Sequence, residues 1–426
     1  MNIFSRYKKI FLILFFLGLV FLFGYLLYQV FFKTGEVSPP NQTATGTING
    51  LPSAGLGGET NGTPSGTGML PGGESETGSD INNGNNLSGG GPDGDKPSSI
   101  AIGGLTETNV LSKSPAYNPT LSSDGSVQYY NKSDGIFYKV DKNGNLSRLS
   151  DKVFYDASNV TWAPDSSNAI IEYPDGNKIL YNFDTEKQTT LPAHWQDFSF
   201  SPGSDEIISK SISPLDPENN WLVVSSNDSS SAKAIEQIGN NADTVYPSWS
   251  PNQQIVAMYT RGVDFDRQEV FFVGQNSENF KSTIIEGRGF QSEWSKDGDK
   301  LLYSVYHTKD DLKPRLWIVE ASGDNIGQNR KSFNLQTWAD KCTFATNTEI
   351  YCAVPETLEK GAGLFPEMAD KTKDNLFKID LASGTQKLIA IPDNAYNISQ
   401  IIVPENQDTL YFTDKKTGFL YKVDLK

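Results

Sequence analysis

Among 426 residues, only four carry an imidazole or a thiol: His194, His307, Cys342 and Cys352. They lack zinc-ligand spacing, and no Gly-x-Ser-x-Gly nucleophile elbow lies in the folded part of the chain. The reading is therefore of no catalytic residue, no metal ligand and no cofactor, and of a non-enzyme. One enzymatic chemistry stays open, because a carboxylate pair that cleaves glycans leaves no local signature. Asp264-Phe-Asp266 could hold a cation, but two carboxylates alone are a weak calcium signal. Asp141-Lys-Asn-Gly-Asn145 lacks the glycine and the late glutamate of a calcium loop and reads as a strand turn.

The cysteines have a chemistry of their own. If a hairpin turns at Asn347, Cys342 and Cys352 stand opposite each other on one face, at a separation that suits a disulfide. Two buried thiols are the open alternative, and the redox compartment decides between them.

A third set is aromatic. Tyr117, Tyr155, Trp195, Tyr246, Phe290, Trp338 and Tyr396 each precede an apolar anchor by a few positions. Two readings stand side by side. The rings form a contact surface for sugar or peptide, or they wedge between neighbouring packing units. Asp156, His194, Asp197, Arg288, Asp340 and Lys341 lie near them in the sequence; His194 and Arg288 join the aromatic set as candidate partner-binding residues.

The elements that position these residues come from a repeat. An apolar anchor followed by Ser-Pro-Asp-Gly, or a worn copy, occurs seven times. The copies are Leu121-Ser-Ser-Asp-Gly125, Trp162-Ala-Pro-Asp-Ser166, Phe200-Ser-Pro-Gly-Ser204, Trp249-Ser-Pro-Asn-Gln253 and Trp294-Ser-Lys-Asp-Gly298. Two weaker ones are Phe344-Ala-Thr-Asn-Thr348 and Ile402-Val-Pro-Glu-Asn406. Anchors lie about 38 to 58 residues apart, the length of a propeller blade. Each copy reads as an inner strand with its exit turn, a second strand such as Ile255 to Tyr259, a third ending in Asp, and a fourth. The chain stops after the third strand of the last blade (Leu420 to Asp424). Thr106 to Ser112 is expected to supply the missing strand and close the ring, which removes an open edge.

The phrases resemble the WD-like repeats of TolB-type β-propellers, as in the propeller of dipeptidyl peptidase IV relatives. The likeness covers about Thr106 to Lys426. It implies an all-β propeller of four-stranded blades; TolB itself has six blades, whereas the seven phrases here count seven, with the N-terminal strand closing the ring. No α/β-hydrolase domain follows, so peptidase activity is not carried over.

Four segments are expected: a basic cytoplasmic tail over 1–9, a transmembrane signal anchor over 10–32, a disordered Gly/Ser/Thr/Asn-rich linker over 33–104, and the propeller over 105–426. As a helix the anchor spans roughly 34 Å, enough to cross a bilayer. Arg6, Lys8 and Lys9 precede it, which places the N-terminus in the cytoplasm of a plasma (inner) membrane protein and the propeller outside. The long apolar core without an Ala-x-Ala site favours an uncleaved anchor over a signal peptide. The linker cannot bury enough apolar surface to order itself, and its reach is roughly 45 Å.

A formal net charge of −15 argues against nucleic-acid partners. The loops joining second to third strands vary, with Ser211–Asn220, Arg261–Arg267, His307–Lys313 and Glu356–Lys373 read as enlarged. Long loops on a rigid scaffold mark a recognition face. The expected role is that of an extracytoplasmic binding or scaffold module for a protein or glycan of the cell envelope. The alternatives are a carboxylate-based glycan hydrolase or lyase at the central channel, or a structural subunit of an envelope complex.

Overall fold

The computed structural model describes residues 16–23, 25 and 96–426, except 277 and 279. The chain divides into two units, Met1–Asn85 and Asn86–Lys426. In the first, residues 16–23 and 25 are helical. Among the described residues no helix is long and apolar enough to cross a membrane. The tail over 1–9, most of the anchor over 10–32 and the linker over 33–95 lie outside the described residues.

The second unit is a ring of seven antiparallel blades. Their inner strands are Ala116–Leu121, Asn159–Trp162, Trp195–Phe200, Val245–Pro247, Arg288–Trp294, Cys342–Phe344 and Ile398–Ile402, defining blades 1 to 7. Each repeated phrase ends an inner strand, and its residues explain why the turn forms there. In blade 5, Ser295 Oγ donates to Asp297 Oδ1 (2.6 Å) and accepts the Lys300 N–H (2.9 Å). Blade 4 repeats this with Ser250, Asn252 and Ile255. The glycine slot is left-handed: Gly125 has φ 82° and Gly298 φ 75°. The worn copies keep that conformation without glycine, at Ser166, Ser204 and Gln253 (φ 61°, 61° and 63°), at a strain of about 1 kcal/mol or more each.

These turns also join blades. Ser166 Oγ donates to the Leu121 carbonyl (3.1 Å), Asn252 Nδ2 to the Gly298 carbonyl (2.9 Å), and the Asp297 N–H to Asn347 Oδ1 (2.9 Å). The Asp that ends the third strand caps the following hairpin, as Asp141 does by accepting the Asn143 and Asn145 N–H groups.

Among the described residues, seven apolar clusters fill the seven joints between neighbouring blades. In the joint of blades 1 and 2, for example, Tyr130 and Phe137 pack on Ile171 and Tyr181. Burial of such side chains, at about 1.5–3 kcal/mol each, is what holds a ring whose blades share few backbone bonds.

Closure uses the expected segment in two pieces. Asn109–Val110 forms the fourth strand of blade 7, with Asn109 opposite Lys422. Leu105–Thr106 instead adds a fifth, parallel strand to blade 6, with Leu105 opposite Ile391. Thr108 sits between them, bonded to Asp393 Oδ1 (2.6 Å) and the Tyr396 hydroxyl (2.8 Å). The N-terminal segment therefore fastens two blades, not one. Cys342 and Cys352 are directly opposed in blade 6, joined as a disulfide and buried in the joint with blade 5.

Candidate binding face and central channel

One face of the ring carries the turns from second to third strands and the entries into inner strands. The second-to-third connections are 132–135, 173–177, 212–220, 263–266, 307–313, 356–373 and 415–419 in blades 1 to 7. The enlarged ones belong to blades 3, 5 and 6. Blade 4 departs from expectation. Its strands run on to Gly262 and restart at Arg267, so 263–266 is no longer than the blade 1 turn.

These connections interlock. Asp266 of blade 4 accepts from Thr308 of blade 5 through N–H (3.1 Å) and Oγ1 (2.7 Å). The blade 6 loop rests on the blade 5 loop, with Gly361 N–H donating to the Asp311 carbonyl (2.8 Å) and Gly363 N–H to the Leu312 carbonyl (2.7 Å). Gly363 is required here, because a Cβ would meet Tyr306 Cβ at 2.5 Å and the Leu312 carbonyl oxygen at 2.7 Å. On the far side Lys415 of blade 7 pairs with Asp370 (2.5 Å), and Asn397 Nδ2 donates to the Ala369 carbonyl (2.6 Å). A continuous rim thus runs from blade 4 to blade 7. Apolar side chains point out of this face: Phe265 on the rim is 69% exposed and Phe365 52%, and Leu215 on the blade 3 loop is 93% exposed.

The predicted aromatic ring is not what lines this face. Trp195, Phe290, Trp338 and Tyr396 are buried. Trp195 packs in the joint of blades 2 and 3, Phe290 in that of blades 4 and 5, and Tyr396 in that of blades 6 and 7. Trp338 supports the blade 6 loop through Ala362 and Ala369. Tyr246 is half-buried against Phe290, with ring centroids 6.1 Å apart. Trp195, Tyr246, Phe290 and Tyr396 thus wedge between blades, where each ring gains more by leaving water than by standing at a wet mouth, whereas Trp338 packs under the loop of its own blade. Only Tyr117 and Tyr155 are exposed.

The polar candidates also separate. His194 is exposed. Its carbonyl accepts the Ile212 N–H (2.9 Å). Arg288 Nη1 donates to the Asp264 carbonyl (2.8 Å), which buttresses the blade 4 turn. Asp264 is paired with Arg267 (2.7 Å), which holds its carboxyl below the usual range. Asp197, on the blade 3 inner strand, pairs with Lys210 (2.5 Å). Lys341 is buried and bonded to both oxygens of Asp374. Among the described residues, no group of three or more His, Cys, Asp or Glu is placed to hold a metal ion.

Sequence reasoning missed Glu293. It stands on the inner strand of blade 5 and faces the charge of Asp340 at the entry to blade 6. Both side chains are exposed to solvent. Desolvation, eased by Lys296 and reinforced by Asp340, pushes the Glu293 carboxyl up to about 7. Desolvation also raises Asp340, against the pull of Lys341. Asp340 lines a cavity of about 160 Å³ with Gln291, Trp338, Lys341, Ser399 and Lys415. No local pattern marks Glu293, since its environment is made by blade 6.

No family model and no curated relative matches the chain. Solved structures do. An oligogalacturonate lyase in complex with manganese aligns over 75% of this chain and 93% of its own, at 11% identity and a TM-score of 0.51. Virginiamycin B lyase from Staphylococcus aureus covers 75% and 98% at 11% identity and TM-score 0.46. A chain of a mitotic checkpoint complex covers 80% and 98% at 11% identity and TM-score 0.49. The first of these likenesses shows the fold alone, in agreement with the blade order: the chain is a seven-bladed β-propeller. A propeller fold does not by itself choose an activity.

Proposed function

We propose that the protein is a binding or scaffold module that engages a protein partner through its interlocked loop face. The observation that carries this is the conjunction of rigidity and outward apolar surface. Bonds between Asp266 and Thr308, and between the loops of blades 5 and 6, fix the rim before any partner arrives, which lowers the ordering cost of association. Leu215, Phe265 and Phe365 stand in water on that face, where burial at an interface would gain about 1.5–3 kcal/mol each. The Ser-Pro-Asp-Gly phrase supports kinship with the TolB type. The apolar run over 10–32 and its preceding Arg6, Lys8 and Lys9 support single-pass anchoring in the plasma membrane, with the propeller outside the cytoplasm. The Cys342–Cys352 disulfide agrees with an oxidising compartment.

The test is affinity capture with the full chain from its own membranes, against a variant carrying Leu215→Asp, Phe265→Asp and Phe365→Asp. All three positions are exposed, so thermal unfolding should be unchanged while the captured partner is lost. Retention of the same partner by the variant would overturn the reading.

A second reading, carboxylate-based glycan cleavage, is favoured by one observation. The Glu293 carboxyl is pushed up to about 7 and feels the charge of Asp340, and both groups are open to solvent, as a general acid requires. Release of new reducing or unsaturated ends from a polysaccharide panel, lost in Glu293→Gln, would establish it. No release by the wild-type chain would remove it.

A further inference from the structure

The chain is strongly acidic, yet one corner of the loop face is basic. Where blades 7 and 1 meet, three turns converge: 111–115, 132–135 and 415–419. They contain four lysines, Lys113, Lys132, Lys415 and Lys416, all exposed, and a single carboxylate, Asp134. Asp134 is occupied locally, accepting from the Tyr138 hydroxyl (2.8 Å) and the Ile136 N–H. Lys415 pairs with Asp370. Among the described residues, Lys113, Lys132 and Lys416 have no carboxylate partner.

A cavity of about 300 Å³ opens in this corner, lined by Tyr117, Asn118, Ser399, Gln400, Lys415 and Lys416 among others. Tyr117 is 42% exposed, and Lys132 Nζ lies 5.4 Å from its ring centroid. The ring therefore carries the Lys132 ammonium over one of its faces instead of filling a joint as Trp195 and Phe290 do. The rest of the wall is amide, hydroxyl and proline, with one carboxylate, Asp414, which is buried and taken up by the Asn397 N–H (3.1 Å) and by the Thr417 N–H (3.0 Å) and Oγ1 (2.8 Å). Asn118 Nδ2 donates to Asn159 Oδ1 (3.2 Å), Gln400 Nε2 to the Pro119 carbonyl (2.9 Å), and Ser399 Oγ lies 2.8 Å from Thr413 Oγ1. These bonds hold the side chains in place and leave their acceptor oxygens available. Ser399 and Lys415 are shared with the cavity that contains Asp340, so the path continues from the corner toward the channel mouth.

We infer that this corner is a binding site for a carboxylate-bearing sugar unit of an anionic glycan. A half-exposed tyrosine offers a stacking plane, amide and hydroxyl oxygens suit ring hydroxyls, and unpaired lysines suit a carboxylate. The volume fits a monosaccharide-sized unit. An extended acidic peptide would meet the same lysines but would find a hydroxyl-lined wall in place of side-chain pockets. The inference is independent of the protein interface proposed above, because none of its residues is among Leu215, Phe265 and Phe365.

The test is calorimetric titration of the full chain with three probes: a tetrasaccharide of glucuronic acid, the neutral glucose tetrasaccharide, and a tetraglutamate peptide. The glucuronate probe should bind at least tenfold tighter than the other two, and more weakly as salt rises. Tyr117→Ala and the pair Lys132→Gln, Lys416→Gln should each weaken it at least fivefold, whereas Lys416→Arg should retain it. All these positions are exposed, so folding is preserved, as a thermal melt will verify. Equal binding of the neutral sugar, tighter binding of tetraglutamate, no binding of glucuronate at millimolar concentration, or indifference to the Tyr117 and lysine variants would each overturn the proposal. Loss of glucuronate binding in the Leu215, Phe265 and Phe365 variant would overturn the independence of the two sites.

Discussion

Lys341 Nζ stands 2.8 Å from Asp374 Oδ2, and that oxygen also accepts the Ile398 N–H of the next blade at 2.6 Å. One buried ion pair thus ties the entry of blade 6 to its third strand and to the inner strand of blade 7. Both side chains are nearly free of water contact, so removing either leaves an uncompensated charge. Lys341→Met should cost about 3–5 kcal/mol. The double variant Lys341→Met, Asp374→Leu should cost clearly less, because no charge is stranded. Urea unfolding of the three proteins measures both quantities; an equal loss in single and double variants would refute the argument.

The disulfide predicts a second effect. Cys342 and Cys352 are ten residues apart, and cross-linking so short a loop stabilises by about 2–3 kcal/mol in the chain-entropy account. The variant Cys342→Ala, Cys352→Ala should lower the unfolding midpoint accordingly. Mass spectrometry of the unreduced, alkylated chain should show no modified thiol. Two modified thiols would contradict the bridge.

Glu293 gives the fold a pH dependence of stated sign. Its carboxyl is raised from an ordinary 4.5 to about 7 in the folded chain. The folded state therefore holds a proton that the unfolded state has already released between those values. The contribution of Glu293 is favourable below pH 4.5 and is lost as pH rises through 7. Between pH 5 and 8 the wild-type melting temperature should fall more steeply than that of Glu293→Gln. Parallel profiles would show that the residue does not titrate in this window.

The worn phrase copies carry a smaller prediction. Gln253 sits at φ 63° in a slot that Gly298 fills in the next blade. Gln253→Gly should stabilise by up to about 1 kcal/mol, relief of strain set against greater freedom of the unfolded chain. A loss of more than 1 kcal/mol would mean that the side chain does unrecognised packing.

What was legible in the sequence was what the sequence performs locally. Ser295, Asp297 and Gly298 bond to one another within a few residues, so their pattern survives as a readable phrase and counts the blades. The closing segment was legible as a missing strand, but not as a double fastening, because Leu105 pairs with Ile391 across the whole length of the ring. The aromatic positions were legible and their exposure was not. Trp195 opens its inner strand and is buried, whereas Tyr117 stands one residue further along its own strand, at the place of the exposed Gln196, and a shift of one residue turns a side chain to the opposite face. The Asp266–Thr308 bond and the raised carboxyl of Glu293 are made between blades, where no short motif records them.

The central claim, that the interlocked loop face is the partner-binding face, is tested most directly by site-specific photo-crosslinking in the protein's own cells. A benzophenone amino acid is placed at Phe265, at Phe365, or at Asn143 on the opposite face, and adducts are identified by mass spectrometry. The account predicts the same protein adduct from Phe265 and Phe365 and none from Asn143. No adduct at the two rim positions, or equal adducts from both faces, would contradict it.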